Sequence, residues 1–147
     1  AGARNIQIVR DRASLPEKVN AVLLDVPCSS SGTWRRNPDL RWRLTADRLS
    51  AFVETQRALL QEGAKYIPTG GRLIYSVCSI VPSEGEEQIE AFLAANAGFQ
   101  LLSYSEIWPI SDRAAPETAS TNPCCLLLLP HLHKCDGFFV AVLERAE

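Results

Sequence analysis

The 147 residues carry 15 Lys and Arg against 17 Asp and Glu, a net charge of -2, with 46% hydrophobic and 22% charged residues. This balance is that of one folded domain, and it excludes a global positive field that would drive the whole molecule onto nucleic acid. The longest apolar stretch that matters, residues 124–130, is far short of the roughly 20 residues of a membrane span. Five cysteines at 28, 78, 124, 125 and 135, an odd count without framework spacing, read as reduced thiols of a cytoplasmic protein. A start without Met or a signal-peptide core reads as an excised piece of a longer protein.

Residues 5–9 alternate and predict a short strand, with Asp11 where the chain leaves it. Residues 21–25 form a compact apolar run that predicts a parallel strand covered on both faces and ending at Asp25. Residues 26–44, with Pro27, three serines, Gly32 and Pro38, predict a long surface loop. Thr45 then caps a helix whose inner face holds Leu49, Phe52, Val53, Gln56, Leu60 and Ala64, until Pro68 and Gly70-Gly71 stop it. Residues 72–76 predict a second buried strand running toward Cys78. Ser83 and Glu86 have the spacing of a capping box, opening a helix with Ile89, Phe92 and Leu93 as its buried stripe. Residues 99–107 predict a strand, residues 108–123 a polar loop, and residues 124–129 and 137–143 a closing strand pair. The order predicts an α/β fold, with parallel strands and an antiparallel pair at one edge. A right-handed crossover between the first two parallel strands brings residues 25–28 and 75–79 to one pocket at their carboxyl ends.

A lone Cys beside a strand end is commonly an inert, buried small residue. Cys28 and Cys78 occupy matching ends of adjacent strands, which argues for redox or nucleophilic chemistry. A glycine-rich dinucleotide turn, a P-loop and a C-x-x-C pair are absent, and Arg35 lies too far from Cys28 for a phosphatase cradle. Cys124, Cys125, His131, His133 and Cys135 lack zinc-ligand spacing, so no metal site is expected. In the loop after Cys28, Arg35, Arg36, Arg41, Arg43 and Arg48 stand against Asp39 and Asp47, with Trp34 and Trp42 interleaved. This is either a local footprint for phosphates and bases or a solvated charged loop.

The runs Asp25-Val-Pro-Cys-Ser-Ser-Ser-Gly-Thr-Trp-Arg-Arg-Asn-Pro-Asp-Leu-Arg-Trp42, Tyr75-Ser-Val-Cys-Ser79 with Pro82-Ser-Glu84, and Asp136-Gly-Phe-Phe-Val-Ala141 occur in this order. Together they resemble the signatures of the Fmu/Sun family of RNA cytosine-5 methyltransferases over nearly the whole chain. The resemblance implies a Rossmann-like class I methyltransferase fold, here its C-terminal half. It also implies S-adenosylmethionine as cofactor and rRNA or tRNA as partner, with no membrane. Cys78 matches the nucleophile, Cys28 the thiol that releases the methylated base, and Asp25 the carboxylate between cofactor and base. Asp11, Asp25 and Pro27 are implied to border the cofactor, while Arg35, Arg36, Arg41 and Arg43 are the expected RNA contacts. Gly137 and the paired phenylalanines are expected to be structural.

Val77 stands where the family often has Thr, and the family's glycine-rich first motif has no counterpart. Residues 1–147 are therefore expected to be the C-terminal portion of one catalytic domain, with missing strands beside residues 22–24. Alone, they are expected to bind the cofactor weakly and methylate nothing. A noncatalytic RNA-binding domain of the same fold and an unrelated thiol enzyme are the competing readings.

Overall fold

The computed structural model describes residues 4–11, 14–108 and 110–146. Its sheet holds five strands: β1 (Ala21–Asp25), β2 (Arg72–Val77), β3 (Phe99–Leu102), β4 (Leu126–Leu128) and β5 (Phe138–Arg145). The order across the sheet is β1-β2-β5-β3, with β4 also paired to β5. β1 and β2 are parallel, with Asp25 opposite Ser76. β5 runs antiparallel to β2, β3 and β4.

The helices are α1 (Asp39–Arg43), α2 (Ala46–Ala64), α3 (Glu86–Ala95) and α4 (Pro130–His133). Thr45 caps α2 as its sequence predicts, its hydroxyl accepting from the Arg48 N–H at 3.3 Å. Period-2 burial aims Leu73, Tyr75 and Val77 of β2 and Phe139, Ala141 and Leu143 of β5 at the helices. There they meet Leu60 and Ala64 of α2 and Ile89 and Phe92 of α3 in one core. Because α2 is the crossover between β1 and β2, the segments leaving both strands emerge side by side.

Several expectations are corrected. No strand forms over residues 5–9: Ile6 and Ile8 are 71% and 84% exposed, and a short alternating stretch without a ladder partner has nothing to hold it extended. β1 is not covered on both faces. Val22 and Leu24 pack on the core, whereas Leu23 on the other face is 67% exposed. The loop after β1 is not a surface loop throughout, since Val26, Ser29, Ser31, Gly32 and Thr33 are buried and residues 39–43 form α1. The predicted capping box is not made. Ser83 lies inside a 3-10 turn (Pro82–Glu84), α3 starts after Gly85, and Glu86 instead accepts from the Ser120 hydroxyl at 2.7 Å. The strand expected over 99–107 stops at Leu102, where the chain turns outward. β3 faces residues 142–145 of β5 and β4 faces residues 138–140, so the two share one interrupted outer edge.

The loops at the carboxyl ends of β1 and β2 are laced to the start of β5. The Gly32 N–H donates to the Cys78 carbonyl at 3.1 Å, and the Gly137 N–H donates to the Gly32 carbonyl at 2.9 Å. A Cβ on Gly32 would lie 2.0 Å from the Gly137 carbonyl oxygen, so backbone must move to admit even a methyl group. Gly32→Ala is expected to destabilise the fold by about 3 kcal/mol, the upper range for overpacking, measured by urea denaturation of the full-length protein. A loss under about 1 kcal/mol would show that the two backbones part freely.

Candidate active site

Cys28 leaves β1 and Cys78 leaves β2, and their sulfurs lie 3.5 Å apart. The Ser30 hydroxyl stands 3.5 Å from the Cys78 sulfur. Ser30 adopts a left-handed backbone, φ 54°, a conformation that costs a non-glycine residue energy. The turn it opens is closed by the Thr33 N–H and the Thr33 hydroxyl, both donating to the Ser30 carbonyl at 2.9 Å.

The two thiols are not equivalent. A hydrogen bond from Cys28, reinforced by Ser30, brings the Cys78 thiol down to about 6, against an opposing effect of burial. Donating that bond, together with burial, holds the Cys28 thiol far above its ordinary range. Cys78 is therefore the more acidic thiol of the pair.

Beneath the sulfurs sits a side chain to which the sequence reading assigned no role. Glu84 has 0% exposure. Its Oε1 accepts from the Ser29 N–H at 2.8 Å and from Gln56 Nε2 of α2 at 3.1 Å. Its Oε2 accepts from the Ser29 hydroxyl at 2.5 Å and the Ser79 hydroxyl at 2.6 Å. An unpaired buried carboxylate costs several kcal/mol, and each charge-assisted hydrogen bond contributes about 1.5–3 kcal/mol, so four donors offset the penalty. Ser29 and Ser79 each follow a cysteine, which makes this carboxylate the tie between the two thiol loops. The available signal was an acid just after Pro82, between Cys78 and an apolar helix, with serines following both cysteines.

The other expected site residues fall into three places. Asp25 and Pro27 are exposed at the carboxyl end of β1, with Asp25 close enough to oppose ionisation of Cys78. Asp11 lies apart from the thiols, beside Gln7, Val9 and Ser14 at an open concavity ahead of β1. The arginines diverge. Arg36 Nε donates to Asp136 at 2.6 Å, a bond that holds the Asp136 carboxyl below its ordinary value, and Arg35 pairs with the same acid at 3.6 Å. Arg41 lies over the Trp42 ring at 5.7 Å, and Trp42 is 82% exposed. Arg43 pairs with Asp39 at 3.3 Å. With Arg48, of the same basic run, it lines a pocket of about 60 Å³ beside Cys28, Ser30 and Phe52.

In the C-terminal cluster, His133 spends both ring nitrogens on backbone: Nδ1 accepts from the Leu129 N–H at 2.8 Å, and Nε2 faces the Glu117 carbonyl at 2.7 Å. Cys125 is fully buried, which pushes its thiol up to about 12.

A mixed α/β sheet with a crossover helix and a reversed β5 beside its parallel strands is that of a partial domain of Rossmann-like fold. The family model for 16S rRNA methyltransferase RsmB/F matches residues 2–144. A relative from Synechocystis, "Probable ribosomal RNA small subunit methyltransferase B", is 42% identical over 88% of this chain and 28% of its own length. The crystal structure of NSun6 from Pyrococcus horikoshii with SFG superposes with TM-score 0.76 and 25% identity, covering 99% of this chain and 36% of that one. A methyltransferase homolog protein from the same organism superposes with TM-score 0.66 and 30% identity, over 87% and 39% of the two chains. This chain belongs to the RsmB/F methyltransferase family. It spans 26–28% of the length of the first curated relatives it matches.

The inequality of the thiols is directly measurable. A thiol whose value is lowered is deprotonated above that value, so iodoacetamide should modify Cys78 at a rate that rises through about pH 6 and then levels. Cys28 should stay inert over the same range. In Cys78→Ala the largest cause of the Cys28 elevation is gone, so Cys28 should begin to react at lower pH. Mass spectrometry of the alkylated peptides reads all three, and Cys28 reacting before Cys78 in the unmodified sequence would contradict the assignment.

Proposed function

We propose that residues 1–147 are the C-terminal portion of a methyltransferase catalytic domain whose parent protein forms 5-methylcytosine in RNA by a covalent mechanism. The observation that carries this reading is the pair of sulfurs 3.5 Å apart at the ends of adjacent parallel strands, one of them acidified by the other. The names of the curated relatives favour small-subunit rRNA over tRNA as substrate. No helix among the described residues is long and apolar enough to cross a membrane, and we place the protein's work in the cytoplasm.

S-adenosylmethionine, when bound, supplies an electrophilic methyl group on a sulfonium. The residues present suit one wall of such a site: Asp25 and Pro27 are exposed at the end of β1, where carboxylates can accept from amino and hydroxyl groups. Asp11 is the further carboxylate proposed for the adenosine part. That the SFG carried by the NSun6 structure is an analogue of this cofactor supports the choice.

On this reading the target cytosine is splayed out of its stem to reach the strand edge. The Cys78 thiolate forms an Sγ–C6 bond, and the displaced ring electrons make C5 nucleophilic toward the methyl group. Asp25 holds the polar edge of the base. In release, Cys28 as thiolate takes the C5 proton, the C5–H electron pair re-forms the C5–C6 double bond, and the Sγ–C6 pair returns to Cys78. A noncatalytic scaffold would have no use for an acidified thiol beside a second one. Arg35, Arg36, Arg41 and Arg43 supply phosphate contacts, and Trp42 a face for stacking.

Two experiments on the full-length protein test the reading. Cys78→Ala is expected to give no RNA adduct that survives denaturing gel electrophoresis, whereas Cys28→Ala accumulates one; the reverse pattern sinks the assignment. Arg35→Ala combined with Arg41→Ala is expected to reduce the salt dependence of RNA binding by about one to two phosphate contacts while leaving the melting temperature unchanged. Arg36→Ala should weaken binding and lower the melting temperature, because it also removes the closer of the two arginines on Asp136. Equal binding by the double variant across a salt titration would leave the basic loop as a solvated face.

A further inference from the structure

We propose that Glu84 is the positioning residue of the thiol pair: its buried carboxylate fixes the distance and register of the Cys28 and Cys78 loops. This inference rests on the two-thiol reading above, and it assigns a role to a side chain that touches neither sulfur.

Three separate segments converge on this carboxylate. The Cys28 loop contributes the Ser29 N–H and hydroxyl, the Cys78 loop contributes the Ser79 hydroxyl, and α2 contributes Gln56. The Gln56 amide also donates to the Pro27 carbonyl at 2.9 Å, which anchors the residue before Cys28. Glu84 is itself held from behind, since the Tyr75 hydroxyl donates to its backbone carbonyl at 2.7 Å. The two serines also meet each other at 3.3 Å, and the Ser31 hydroxyl meets Ser79 at 2.9 Å. The carboxylate accepts from the Ser29 N–H and hydroxyl, the Ser79 hydroxyl and the Gln56 amide at once, whereas a neutral residue of the same size does so in part.

A contact between two thiols is weak and does not set the spacing of its own loops. The rigid bonds around Glu84 lie one residue away on both sides and hold the sulfurs within reach of each other. The charged and titratable groups that face the pair include Asp25, Glu84, Tyr75 and Arg36, with Arg43 and Arg48 in the pocket beside Cys28; Asp25 and Glu84 oppose ionisation. The acidity of Cys78 therefore depends on the hydrogen bond from Cys28, and that bond depends on loop register.

The test reads the pH profile of Cys78 alkylation in the full-length protein, for variants shown by circular dichroism to be folded. Glu84→Ala is expected to slow Cys78 modification at pH 7 by on the order of tenfold and to move the profile toward the ordinary thiol range. Glu84→Gln, which keeps the shape and part of the bonding, is expected to recover most of the lost rate. If Glu84→Ala does not fold, Ser79→Ala carries the same test: it leaves Glu84 in place, removes the Cys78 loop's bond to it, and is expected to slow modification severalfold. A wild-type profile in whichever of these two variants carries the test would overturn the proposal and leave Glu84 as a stabiliser of the fold alone. RNA trapping separates the two readings. A protein that traps RNA while its variants keep the wild-type profile refutes the role of Glu84 only, and shifted profiles without any trapping refute the covalent mechanism only.

Discussion

A carboxylate with no exposure to water organises the reactive end of this molecule. Burying Glu84 is tolerable only if every donor around it is satisfied, and the donors come from the segments that must be brought together: the loop after β1, the loop after β2, and α2. The same condition that keeps the charge in the core fixes where Ser29 and Ser79 sit, and each of these is the neighbour of a cysteine. Removing any one donor leaves the carboxylate under-compensated, so the three segments are coupled far more tightly than their individual hydrogen bonds would make them.

The fold supplies the coarse geometry on which this fine adjustment acts. A parallel pair with a helical crossover delivers two chain ends to the same edge. Gly32 and Gly137 then let the first loop press against the entry to β5 at backbone contact distance. The Arg36–Asp136 pair closes the same approach from outside. The thiol site is thus enclosed by polar and backbone contacts on several sides, while the apolar core beneath the sheet rests on Tyr75, Phe139 and the helices. Acidification of one sulfur by the other follows from proximity, and proximity follows from this framework.

Much of this was legible in the residues. The apolar runs of β1, β2 and β5, the Thr45 cap and the stripe of α2 each carry a local signal, and the crossover rule turns two of those strands into one shared edge. The thiols could be placed together from that rule alone. What escaped has physical reasons. The residues 5–9 pattern satisfies a strand period, but pairing is a property of two segments, and no ladder forms there. Ser83 and Glu86 have capping spacing, yet the tertiary demand on Glu84 draws the preceding turn into a 3-10 conformation and delays the helix to Gly85. Glu84 was hidden because a charged residue ahead of a helix reads as solvated in one dimension. Its burial depends on four donors, three from residues 28 or 55 positions away and the fourth from five positions away.

The position of β5 governs when this site can exist. Among the described residues β3 and β4 pair with no strand but β5, and β2 has its second neighbour there, so three strands made earlier in synthesis remain without that ladder until residues 138–145 dock. Gly137 and Asp136, which close over the first thiol loop, arrive with the same segment. The contacts are long in sequence, and closing them is slow relative to forming α2 or α3. A nascent chain that has already produced both cysteines therefore carries them without these surroundings, and the reactive sulfur acquires them only as β5 docks.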